Sequence, residues 1–211
     1  MTLRGTLSAT IDRLEAYEGP ESRSAEAAIT ANEELMMRFA TGDMSAFEQL
    51  YQRHKDALFR YLVRALSDRG LAEEFAQDVW MRLIDARARY SVTAKFRTYL
   101  FKIAHNRVID HYRRQQPVSL TDTGLEPQVR DRLGQARDNE VRDQALHQAL
   151  DKLPFEQRSA VALRIHGEFS LQQIADMTGV GRETVKSRLR YAMDKLREVL
   201  KDVPGVNHES K

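Results

Sequence analysis

A short run of this chain carries the residue types that hold an unpaired nucleic-acid strand. Between positions 95 and 114, Lys95, Arg97, Lys102, Arg107, Arg113 and Arg114 face a single acid, Asp110. Tyr99, Phe101, His105 and Tyr112 are interleaved with these cations, and Asn106 offers an amide that can pair with a base edge. Cations track a phosphate backbone while aromatic faces stack on exposed bases, which is how single strands are gripped. Packing competes for the same rings. Phe96, Tyr99 and Phe101 cannot share one narrow helical stripe, so at least one is expected outside the core.

A second cluster has the chemistry of duplex recognition. In SLQQIADMTGVGRETVKSRLRYAMDKLREVLK (170–201), Ser170 and Gln173 have the spacing of a capping box, and Gly179 suits a left-handed turn. Leu171, Ile174, Ala175 and Val180 mark one helix; Val185, Leu189, Ala192, Leu196 and Val199 mark the next. Arg182, Thr184, Lys186, Ser187, Arg188 and Arg190 crowd the start of the second helix. Two helices joined by a glycine turn, with cations and hydroxyls at that start, form a helix-turn-helix whose second helix enters the major groove.

Catalysis is not expected. Glu73, Glu74 and Asp78 are the only candidate metal carboxylates, and no second carboxylate or His cluster at ligand spacing supports them. His105 and His111 point to different helix faces, and no convergent acid, base and nucleophile set exists. With no cysteine, disulfides, thiolate metal sites and thiol nucleophiles are out of reach. No cofactor is implied.

The elements that position these residues read as helices throughout. Leu35, Met36 and Phe39 precede a turn at Gly42-Asp43, and periodicity is expected from about Asn32. A long helix follows with Phe47, Leu50, Tyr51, Leu58, Tyr61, Leu62 and Leu66 at i, i+3, i+4 spacing. A helix over 71–88 turns Phe75, Val79, Leu83 and Trp80 inward and Glu73, Glu74, Gln77, Asp78 and Arg82 outward. The helix over 95–114 takes Phe96, Leu100, Ile103, Ala104, Val108 and Ile109 as its core stripe. Residues 115–139 break the period with Pro117, Gly124, Pro127 and Gly134, a linker long enough to let two domains sit well apart.

The predicted fold is all-α: two small helical domains joined by a flexible linker. The boundaries are an acidic extension (1–32), a first domain (33–115), a linker (116–139), a second domain (140–203) and a tail (204–211). Net charge is only +2, so partner choice rests on where charges lie rather than on their sum. No apolar run reaches membrane-spanning length and the start lacks a secretory apolar stretch, so the expectation is a soluble, cytoplasmic protein. The acidic extension reads either as a flexible arm or as a shield for a basic surface.

Three runs in order, AEEFAQDVWMRLID (72–85), FRTYLFKIAHNRVIDHYRR (96–114) and LPFEQRSAVALRIHGEFSLQQIADMTGVGRETVKSRL (153–189), resemble the bacterial extracytoplasmic-function (ECF) sigma factors of the sigma-70 family. The resemblance covers roughly residues 33–201. It implies a promoter-specificity subunit of RNA polymerase. Residues 33–115 would be sigma region 2, which reads and melts the minus-10 element; residues 140–203 would be region 4, which reads the minus-35 element and touches the β-flap. The linker would thread toward the polymerase active site and RNA exit path.

The family's Phe-x-x-Trp-Leu-x-x-Ile-Ala-x-Asn pattern stands here as Phe96, Tyr99, Leu100, Ile103, Ala104 and Asn106, with Tyr99 in place of Trp. The resemblance implies minus-10 contacts from Asn106, Tyr99, Lys95, Arg97, Lys102, Arg107 and Arg113. Tyr90 would belong to the loop that closes a pocket around a flipped base. It implies minus-35 contacts from Lys186, Ser187 and Arg190, supported by Arg182, Thr184 and Arg188. It implies a grip on the polymerase β′ clamp from Glu73, Glu74, Gln77, Asp78 and Arg82. The family's Asp-Ala-Glu-Asp quartet is Leu71-Ala72-Glu73-Glu74 here, one charge fewer, and Gly181 replaces the usual Ser cap. Family members are commonly restrained by an anti-sigma factor. The competing reading is a stand-alone helix-turn-helix repressor or activator, with 33–115 as a dimerisation bundle.

Overall fold

The computed structural model describes residues 23–90, 95–115 and 148–201, with side chains for all of these but 23–30, 115 and 199–201. The linker reading of 116–139, the loop 91–94, most of the acidic extension and the tail lie outside the described residues. The described helices are α1 (Arg23–Ala40), α2 (Met44–Leu66), α3 (Arg69–Ala86), α4 (Phe96–Gln115), α5 (Phe155–Ile165), α6 (Leu171–Thr178) and α7 (Arg182–Lys201). A 3-10 turn, Arg87–Arg89, follows α3. No strand occurs among the described residues.

The N-terminal module is α1 to α4. Asp43 starts α2 by accepting from the amides of Ser45 (2.9 Å) and Ala46 (3.2 Å), while its other oxygen takes Arg38 at 2.6 Å. Bonds from Ser45, then Arg38, hold this carboxyl down at about 2. Ser67 ends α2 in the left-handed region (φ 56), and Asp68 caps α3 through the Leu71 amide. The apolar stripes then close on one another: Leu35, Met36 and Phe39 of α1, Leu50, Leu58, Tyr61 and Leu62 of α2, Phe75, Val79 and Leu83 of α3, and Phe96, Leu100, Ala104 and Val108 of α4 are all buried. Each fully buried large side chain contributes about 1.5–3 kcal/mol.

Helix α1 begins nine residues before Asn32, the expected start of periodicity. Ala25, Ala27, Ala28 and Ala31 favour helix without drawing an apolar stripe, so periodicity was silent there. Glu33 on this helix has a specific task. Its buried carboxylate accepts the Phe96 amide and so caps α4 from another element. A carboxylate at a helix N-terminus satisfies an orphan donor and opposes the helix dipole. Glu33→Ala is expected to lower stability by about 1–3 kcal/mol in urea melts; an unchanged midpoint would mean that water caps α4 equally well.

The C-terminal module is α5 to α7. Ser170 and Gln173 form both bonds of the capping box, 3.2 and 2.9 Å, and Gly179 turns left-handed at φ 70. Leu153, Leu163, Ile174, Val185, Leu189, Ala192 and Leu196 are buried between the three helices. Gly167 has no room for a side chain: an added Cβ would lie 2.3 Å from the Phe169 ring.

The two modules share one continuous core. Helix α5 packs against α2, and α6 packs against α4. Phe101, a candidate for base stacking, is fully buried against Phe169 of the other module, their rings 5.1 Å apart. Tyr112 lies 4.5 Å from Phe155. These rings form a second apolar flank on α4 that the C-terminal module covers, with Tyr61 of α2 also against Phe101, ring centroids 5.5 Å apart.

Candidate nucleic-acid interface

At about 100° per residue, α4 sorts its polar side chains by angle alone. Lys95, Tyr99, Lys102, Asn106 and Arg113 fall within a narrow stripe opposite the core residues Leu100, Ala104 and Val108. Lys95, Lys102, Asn106 and Arg113 are exposed. Tyr99 is half-buried and leans on Tyr90, ring centroids 5.4 Å apart. The structure thus brings a row of cations, an amide and an aromatic pair onto one face. The Tyr90 hydroxyl is buried without a hydrogen-bond partner. Burial, with Glu33 nearby, pushes it up to about 12, so it stays neutral.

Two expected members leave the row. Arg107 lies off the stripe, its guanidinium 3.7 Å from the Phe75 ring centroid and 2.7 Å from Asp78. With Glu74 at 3.9 Å, it is drawn into the acidic face of α3 and is not free for a phosphate. Arg97 turns toward the C-terminal module, donating to Glu168 (3.1 Å) and to the His166 carbonyl (3.2 Å). Both were placed by residue type, and position around the helix overrules type.

The acidic face stands largely as its spacing suggested. Glu73, Glu74, Gln77 and Arg82 are exposed on α3, while Asp78 is half-buried between Arg82 (2.9 Å) and Arg107. On α7, Arg182, Thr184, Lys186 and Arg190 are exposed, with Ser187 half-buried. Leu171, Leu189 and Met193 line a groove beside them that Glu183, Lys186, Ser187 and Arg190 border. Arg188 differs. It is half-buried, and its positive charge disfavours protonation of His105 on α4.

Sequence reasoning gave no role to Arg158, Ser159 or Glu168, which join the modules. The Tyr61 hydroxyl and Ser159 Oγ lie 3.1 and 3.2 Å from His105 Nδ1, all buried. Arg158, also buried, donates to the carbonyls of Ala65 and Asp151 (3.3 and 3.1 Å) and to the Tyr112 hydroxyl (2.8 Å). Glu168 reaches Arg97 from a left-handed backbone, φ 50. No sequence signal marks such residues, since Arg, Ser and Glu on a helix or turn usually face solvent.

Burial, with Arg188 nearby, pushes His105 from 6.5 down to about 4. His166 falls to about 4 for the same first reason, helped by Arg64 and Arg60. The unfolded chain binds these protons near 6.5 and the folded chain only near 4, so stability is full above 6.5 and declines as pH falls toward 4. For His105 alone the loss at pH 5 is about 2 kcal/mol. Urea melts at pH 7.5 and 5.0 check this; equal midpoints would contradict it.

The family model for sigma-70 region 2 matches residues 50–118, and that for sigma-70 region 4 matches 149–198, together more than half of the chain. The chain is 30% identical over 170 residues to the ECF RNA polymerase sigma factor SigL of Mycobacterium tuberculosis, covering 78% of this chain and 94% of that one. The chain is an ECF sigma factor of the sigma-70 family. It is also 26% identical over 177 residues to the ECF RNA polymerase sigma factor SigW of Bacillus subtilis, covering 77% of this chain and 92% of that one. The solved structure of CnrH in complex with the cytosolic domain of CnrY shares the fold: TM-score 0.62 at 24% identity, over 81% of this chain and 97% of that one. As a sigma factor the chain serves transcription initiation, and the reading as a stand-alone repressor is not favoured. Among the described residues no helix is long and apolar enough to cross a membrane, and no His, Asp and Glu group could hold a metal.

Proposed function

We propose that this sigma factor directs core RNA polymerase to its promoters from the cytoplasm, with no catalytic chemistry of its own. Lys95, Lys102 and Arg113 follow the non-template strand of the melted minus-10 element. Asn106 pairs with a flipped base beside Tyr99 and Tyr90. Unstacking that base costs a few kcal/mol, which stacking and hydrogen bonds in the pocket must return. Lys186, Ser187 and Arg190, with Arg182 and Thr184, meet minus-35 bases and phosphates in the major groove. Glu73, Glu74, Gln77, Asp78 and Arg82 meet the β′ clamp, with Arg107 as an internal support that fixes Asp78. The C-terminal module touches the β-flap, and an anti-sigma factor restrains the protein by covering these polymerase-facing surfaces.

The observation that carries the reading is the single exposed stripe of cations, amide and aromatic on α4. Asn106→Ala is expected to relax minus-10 base preference about tenfold or more at one position while core affinity stays constant. Abortive-initiation rates on a panel of minus-10 variants measure this. An unchanged preference would remove Asn106 from the pocket.

A further inference from the structure

Two buried polar atoms beside the start of α4 lack partners, and they are complementary. Glu33 is 8% exposed; one carboxylate oxygen accepts the Phe96 amide, and the other, Oε2, is buried with no hydrogen bond. The Tyr90 hydroxyl is also buried and unpaired. A carboxylate can only accept, and a phenol can donate. Helix α1, which carries Glu33, packs against both α4 and the 3-10 turn that ends at Arg89, so one helix reaches both groups. The carboxylate is also close enough to Tyr90 to oppose its ionisation. Leaving such a pair unmade is costly, and buried polar groups in folded chains are nearly always bonded.

Tyr90 has two ends with different surroundings. Its ring is half-buried and meets Tyr99 edge-on, centroids 5.4 Å apart and planes at 63°. Tyr99 shares its stripe with the exposed Lys95, Lys102 and Asn106. In an edge-on pair the rim of one ring covers the face of the other, so a base that stacks on that face turns the pair. Tyr90 follows the 3-10 turn and lies outside the helices, so its ring turns more readily than that of Tyr99 on α4. Turning the ring moves the hydroxyl, and Glu33 Oε2 is the buried carboxylate oxygen beside it that has no donor.

We infer that Glu33 is a positioning residue for the minus-10 pocket: one oxygen holds the start of α4, and the other takes the Tyr90 hydroxyl when a flipped base displaces Tyr90 from Tyr99. The inference rests on the minus-10 reading proposed above. The test measures binding of holoenzyme, built with the full-length chain, to a promoter fork whose minus-10 non-template strand is unpaired. The flipped position carries either the preferred base or an abasic site. Tyr90→Phe keeps the ring and removes the donor; Glu33→Gln keeps an acceptor for the Phe96 amide and removes the charge. With the base present, each should weaken binding about tenfold, the scale of a hydrogen bond to a charged group. The double variant should lose no more than either alone, and on the abasic fork all three should match the unmodified chain within about twofold. A role confined to capping and folding predicts losses that add, or that persist without the base; either result, or no loss at all, would overturn the inference. Asn106→Ala, measured beside them, separates the two levels. If it distinguishes base from abasic site while the Glu33 and Tyr90 variants do not, only the positioning role falls. If it too ignores the base, the minus-10 reading falls as well.

Discussion

Replacing Arg158 with Met is expected to lower the unfolding free energy by about 3 kcal/mol, the largest effect of any single substitution considered for stability. The arginine is 5% exposed and donates to the Ala65 and Asp151 carbonyls and the Tyr112 hydroxyl. Methionine fills much of the same volume but takes the guanidinium donor from the Asp151 carbonyl and the Tyr112 hydroxyl and leaves the Ala65 carbonyl with the Tyr112 hydroxyl alone (3.0 Å); a buried group stranded in this way costs about 1–3 kcal/mol. Lysine should recover only part of the loss, because an ammonium cannot span the separated acceptors as a planar guanidinium does. Urea midpoints of the two variants measure the effect. A change under about 0.5 kcal/mol would show that water replaces the guanidinium and that the network holds little.

The second large effect falls on DNA. Lys186→Ala and Arg190→Ala together are expected to weaken holoenzyme binding to promoter DNA by about 2–5 kcal/mol, since each base contact is worth about 1–3 kcal/mol. Lys186 side-chain exposure of 67% leaves it room to reach out from α7, with Glu183 at 3.9 Å its neighbour of opposite charge among the described residues. Titrations across a salt series separate the two modes. Base contacts lose discrimination at one minus-35 position, whereas phosphate contacts weaken all sequences alike and flatten the salt slope by about 1 per cation. Wild-type affinity with an unchanged slope would remove both residues from the interface.

The helices α2 to α7 and the caps at Asp43 and Ser170 could be read in the sequence because each rests on neighbours in the chain. The capping box at Ser170 and Gln173, the left-handed Gly179 and the stripes of α2 to α4 all follow from spacing. The exposed row on α4 follows from spacing too, once each residue is placed around the helix. What spacing does not carry is the partner of a second face. Phe101 and Tyr112 could have stacked on bases; they are taken by Phe169 and Phe155 because the C-terminal module covers that flank. Arg97 and Arg107 looked like phosphate ligands by charge, and each found a carboxylate on another element instead. Glu33 looked like surface charge, and its role as a cap for α4 depends on a contact 63 positions away. Long-range polar pairing is set by tertiary packing, and a local pattern of charge does not reveal it.

The central claim is that this chain gives RNA polymerase its choice of promoter. Purified core enzyme with and without the full-length chain, run on genomic DNA with every transcript start mapped, tests it most directly. The account predicts a discrete set of starts that exists only with the chain, each preceded by a shared pair of upstream elements. Starts that are the same in both reactions would contradict it.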